Sequence, residues 1–152
     1  MVVEILPNLY ISDILSSKNK TFMKKYNIRL VITCNKDFYK KSENTIEDNI
    51  EYINIPLTNE INDTNISLLY NSFDKINNII NRYIKNLTSI LICSYNPYQE
   101  VSILVASYIM KYSNITDIGL LSYYIRTKSP NSFMPINNYS KSLELYSKNI
   151  NL

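Results

Sequence analysis

The sequence predicts one mixed α/β domain, and three observations carry that prediction. Short apolar runs rich in Ile, Val and Tyr occupy residues 2–5, 9–11, 30–34, 51–55 and 89–93, lengths that suit strands. Between the last two runs, Ile66, Leu69, Tyr70, Phe73, Ile76, Ile80, Tyr83 and Ile84 recur at three- and four-residue spacing, the mark of a long helix with one buried face. After Cys93 the helical period returns over 101–111, 117–127 and 137–148, with Pro130 and Pro135 as interruptions. Strands followed by a run of helices make a mixed domain with about five strands in its sheet.

Each element has a local reason. Asp63 or Asn65 supplies a side chain able to cap the long helix. Residues 36–49, with Lys36, Asp37, Lys40, Lys41, Glu43, Glu47 and Asp48, lack period and read as an exposed loop. No repeat or linker divides the chain, so 1–152 is expected to be a single domain, large enough to bury about two-thirds of its unfolded surface. With 45% apolar and 19% charged residues the chain is globular rather than disordered.

Composition excludes several function classes. The net charge of +3 is small and the lysines are scattered among carboxylates, so no nucleic-acid surface is expected. No apolar run approaches the ~20 residues of a membrane helix, and no charged stretch with a following apolar segment opens the chain. An intracellular, cytoplasmic protein is expected, which leaves triplets such as Asn62-Asp63-Thr64 and Asn86-Leu87-Thr88 without weight as glycosylation sites. Abundant Asn, Ile, Lys and Tyr beside a single Gly, and no His or Trp, point to an AT-rich genome, viral or parasitic. Nothing implies a cofactor or a metal.

Cys34 and Cys93 each lie in or at the end of an apolar run, at buried strand ends, so a disulfide framework is not expected. Cys34 reads as core. Cys93 has a second reading, because a strand, a cysteine, a tight loop and a helix in succession place backbone amides and a helix N-terminus around the thiol. That arrangement binds anions and favours a thiolate.

At this point the chain resembles the dual-specificity phosphatases along almost its whole length. Ile5-Leu6-Pro7-Asn8-Leu9-Tyr10-Ile11-Ser12 is similar to that family's first hairpin, and Tyr26-Asn27-Ile28-Arg29-Leu30-Val31-Ile32 to its next strand. Tyr52-Ile53-Asn54-Ile55-Pro56-Leu57 resembles the strand before the general-acid loop. The segment 101–110 resembles the helix after the signature loop, and Pro135-Ile136-Asn137-Asn138-Tyr139 with Leu143 the closing helix, one residue further from Pro130 than usual. The resemblance implies a central, mainly parallel sheet of about five strands flanked by helices, a protein phosphatase ancestry, and Cys93 as the nucleophile position.

The family signature is His-Cys, two residues, Gly, two residues, Arg, then Ser or Thr, and only its cysteine survives here. Ile92 stands for the His, Asn96 for the Gly, Gln99 for the Arg and Glu100 for the hydroxyl residue, while Ser94, Tyr95, Pro97 and Tyr98 complete the phosphate loop. Asn96 is the mildest change, since Asn tolerates left-handed backbone. Gln99 offers neither the charge nor the bidentate fork of Arg. A Glu100 carboxylate within ~6 Å of a phosphate dianion repels it by a few kcal/mol at an effective dielectric near 20, and is expected to raise the pKa of Cys93. Asn59 stands for the general acid, with Glu60 or Asp63 as substitutes only if the loop shifts. Together these losses remove most of the rate.

The expected function is therefore that of a pseudophosphatase, a phosphatase-like module whose work is binding or regulation. Its partner would be a protein, a phosphoprotein or a related phosphatase, and a homodimer through the domain surface is compatible. Tyr95, Pro97 and Tyr98 are expected to crowd the loop and fill the pocket. Two alternatives remain open: a weakly active cysteine-dependent tyrosine, serine and threonine phosphatase using Cys93, and a redox role for that thiol. With its activators gone, Cys93 is also read as simply structural.

Overall fold

The structure, a computed structural model of the chain, describes residues 2–36, 49–58, 60–95, 97–133 and 139–150. Five strands form one sheet: β1 (Val2–Leu6), β2 (Leu9–Asp13), β3 (Ile28–Thr33), β4 (Glu51–Asn54) and β5 (Ser89–Ser94), in the order β1-β2-β5-β3-β4. β1 and β2 form an antiparallel hairpin, and every other pairing is parallel. This is the mainly parallel sheet the sequence predicts. β3 and β5 lie in its middle with helices or loops on both faces, which is why they read as unbroken apolar runs rather than alternating ones.

The two faces are unequal. On one, α2 (Asp63–Lys85), α3 (Ser102–Ser113), α4 (Ile118–Lys128) and α5 (Ser140–Ile150) enclose the larger core, where Leu69, Phe73, Ile76 and Ile80 of α2 meet Ile32, Ile90, Ile92 and Leu104. On the other, a 3-10 turn (Ile14–Lys18) and α1 (Lys20–Lys25) cover a smaller cluster of Ile14, Met23, Val31, Leu91 and Cys93. Successive residues of β5 therefore serve different cores. Neither short helix was predicted, and the reason is physical: α1 buries only Met23, which leaves no apolar period to read.

Caps and turns differ from the sequence reading in detail. α2 is capped by Asn62, whose side chain accepts from the Asn65 amide at 2.9 Å, rather than by Asp63 or Asn65. Asn65 has turned inward instead. The last helix begins at Ser140, and residues 137–138 of its predicted start lie outside the described residues, as does most of the 36–49 loop. Where turns require left-handed backbone, this glycine-poor chain uses Asn8, Asn27, Asn49 and Asn114, with φ between 53° and 70°. Among the described residues no helix is long and apolar enough to cross a membrane.

Candidate functional site

The C-terminal ends of β3, β4 and β5 point the same way, and the chain emerging from them makes a cleft at that edge of the sheet, where parallel sheets habitually bind ligands. β3 is prolonged by Cys34, whose amide donates to the Cys93 carbonyl at 3.3 Å. Asn54 ties the ends of β3 and β4 together: its side chain accepts from Thr33 Oγ1 at 2.7 Å and from the Asn35 amide, and donates to the Asn35 carbonyl at 2.9 Å. Beyond β4, the buried Asn65 amide donates to Thr58 Oγ1 at 2.6 Å and to the Glu60 carbonyl, pinning the loop onto the start of α2.

Between these elements lies a cavity of about 250 Å³. Cys34 and Asn35 line it from β3, Thr58 and Ile61 from the loop after β4, Tyr95, Gln99 and Glu100 from the segment after β5, and Tyr139 from before α5. Gln99 and Tyr139 also wall a neighbouring cavity of about 200 Å³ that includes Ile103, Ile118, Arg126 and Phe133. The side chains of Tyr95, Pro97 and Tyr98 leave this space open rather than filling it. Tyr95 stands at the rim, 59% exposed, Pro97 is buried in the fold, and Tyr98 is half-buried with its carbonyl accepting from the Phe133 amide.

After Ser94 the chain passes through Tyr95 into a π-helical turn, Pro97–Val101, which runs directly into α3. Pro97 carries no N–H to offer an anion, and its carbonyl accepts from the buried Ser102 hydroxyl at 3.3 Å. Asn96 and Asn59 lie outside the described residues. Glu60 and Asp63 are exposed, and neither lines the cavity.

Cys93 does not line that cavity. Its side chain belongs to the smaller core with Leu91 and Val31, fully buried. Burial pushes its thiol up to about 12, the Ser17 hydroxyl pulls it back down, and the Asp13 carboxylate raises it further. The upward direction matches the sequence reading but the cause differs: burial and Asp13 act, where Glu100 was expected. The thiol that does face the cavity is Cys34, held well above its ordinary value by burial, with Glu100 and Cys93 adding to it. Both cysteines are free.

Glu100 is the charged side chain of the cavity. Burial raises its carboxyl above the ordinary range, while its own backbone amide and the Ser94 hydroxyl pull it down. The fully buried Ser94 oxygen has no other hydrogen-bond partner among the described residues. No described Lys or Arg pairs with Glu100. Among the described residues no cluster of His, Cys, Asp and Glu is suited to a metal ion.

Sequence reasoning placed Cys93, Gln99 and Glu100 at one site, and the structure brings Gln99 and Glu100 together there. It missed Asn35, Thr58, Asn65 and Tyr139. The first two follow the ends of parallel strands, a position that could have marked them; Tyr139 and Asn65 are brought in by helix packing alone.

No protein-family model matches the chain, and no curated protein matches it. Solved structures do. Human DUSP28 superposes with a TM-score of 0.82 at 11% identity, covering 99% of this chain and 95% of that one. Human tyrosine phosphatase-like serine/threonine/tyrosine-interacting protein gives 0.82 at 15% identity, covering 99% and 98%, and DUSP15 gives 0.80 at 17%, covering 96% and 86%. With this strand order, this helical layer and these matches over nearly the full length, the chain has the dual-specificity phosphatase fold.

Proposed function

We propose that this protein is a pseudophosphatase, a binding or regulatory module on a phosphatase fold, whose partner is another protein. One observation carries the reading: Cys93, at the nucleophile position, is fully buried in the smaller core and does not line the cavity at the strand ends, whose lining brings the Glu100 carboxyl and no described cation. Gln99, buried beside it, contributes a neutral amide. A thiol whose pKa lies near 12 is thiolate to only about one part in 10⁵ at pH 7. The open cavity and the rim ring of Tyr95 suit recognition of a protein surface, and the similar human protein named as an interacting protein is phosphatase-like by its own description. A phosphoprotein or a related phosphatase are the partner classes this fold suggests.

Retention of Cys93 at the end of β5 favours a second reading, a weak cysteine-dependent protein phosphatase. Hydrolysis of a small aryl phosphate by the wild type and by Cys93→Ser separates the two. The expected result is equal background rates in both, with no rise in Tm from tungstate. Turnover that disappears in Cys93→Ser would overturn the pseudophosphatase reading.

A further inference from the structure

We propose that the cavity at the strand ends is a guanidinium site, which receives an arginine side chain presented by the protein partner. The inference rests on the reading that the cavity no longer takes phosphate. Glu100 brings a carboxyl that is half-buried and has no described counter-ion. The N-terminus of α3 offsets only part of its charge when ionised, since a helix end carries roughly +0.5 of a charge. The described lining holds this carboxyl and no Lys or Arg, which favours a cation over an anion.

The other walls select among cations. Gln99 and Asn35 bring side-chain amides and Thr58 a hydroxyl, groups able to accept from a planar cation with five N–H donors. Tyr95 holds its ring at the rim, 59% exposed, where it can stack on a guanidinium. Ile61 offers apolar surface to the aliphatic stem of the same side chain. The fully buried Ser94 hydroxyl lies against the Glu100 carboxyl, with no other partner among the described residues.

Titration of the ¹⁵N-labelled full chain tests this, with N-acetyl-arginine amide, N-acetyl-citrulline amide, methylguanidinium chloride and inorganic phosphate as separate probes. The arginine amide should give saturable shifts at the amides of Asn35, Thr58, Tyr95 and Glu100, and bind more tightly than methylguanidinium. The neutral citrulline amide should give none. Glu100→Gln should weaken the arginine amide at least about tenfold, and Tyr95→Ala, at an exposed position that leaves the core untouched, about threefold. Binding indifferent to both substitutions, or shared by the citrulline amide, overturns the proposal, and equal affinity for methylguanidinium overturns the protein-borne source. Saturable phosphate binding with the same shifts defeats the pseudophosphatase reading as well, whereas silence from every probe removes the guanidinium site and leaves that reading standing.

Discussion

Glu100 shows how one carboxylate changes what a cavity admits. Burial raises its pKa, so the folded state holds its proton more tightly than the unfolded chain does. The contribution to stability is then complete below the unfolded value near pH 4, and is lost as pH rises through the folded pKa. Glu100→Gln should accordingly raise Tm at pH 7 and leave it unchanged at pH 4. A substitution that leaves Tm unchanged at pH 7, or raises it equally at both, would show that the carboxylate is well solvated. Cys93 makes a parallel case. With its thiol raised to about 12 by burial, alkylation of the native protein should be slow at pH 7 and still climbing between pH 9 and 11, where an ordinary thiol has levelled off. Rapid labelling with a plateau below pH 8 would restore Cys93 as a nucleophile.

Among the elements, α2 reveals what a chain with one glycine gives up at its turns. It ends at Asn86, and the next residue, Leu87, takes the left-handed conformation with φ of 58° that glycine usually fills after a helix. Leu87 is 80% exposed, so its side chain gains little from packing to offset that strain. Left-handed backbone costs a non-glycine residue roughly 1–2 kcal/mol, and glycine returns part of this through the entropy of the unfolded chain. Leu87→Gly should therefore stabilise by about 1 kcal/mol in urea denaturation, and a loss of stability would contradict the helix end described here. The other end of α2 works through Asn62, which frees Asn65 to hold the loop after β4.

At the scale of the whole molecule, α2, α3 and α5 are joined by a polar network that runs from the buried Asn77, Ser107 and Tyr146 out to the exposed Asp74. Tyr146 donates to Asp74 at 2.7 Å and accepts from the fully buried Asn77 amide at 3.4 Å, and Asn77 exchanges hydrogen bonds with Ser107. The Tyr146 hydroxyl is also the foremost cause of the lowered pKa of Asp74, ahead of opposing burial and the help of Lys111. Tyr146→Phe should cost about 1–2 kcal/mol at pH 7, the usual loss when a buried polar group forfeits a partner. Because a depressed carboxyl stabilises only above its folded pKa, the difference from wild type should narrow as pH falls through that value. A cost that stays constant down to pH 2 would remove Asp74 from the network.

The sheet, its five strands and the long helix were legible because burial on both faces leaves an unbroken apolar run, and burial on one face leaves a period. Residues such as Ile32, Ile92 and Phe73 announce their surroundings by type alone. The resemblance in 5–12, 26–32, 52–57 and 101–110 then supplied the parallel order that no local pattern contains. Short elements such as α1 escaped because a single buried Met23 leaves no pattern. The site divides the same way. That the signature positions now hold Gln99 and Glu100 is written in the chain, and so is the loss of charge it entails. Which thiol faces the cavity is not, because β5 alternates its side chains between two cores, and only the placement of the 3-10 turn, α1 and the loop after β4 decides that Cys93 is enclosed while Cys34, Thr58 and Tyr139 meet at the opening.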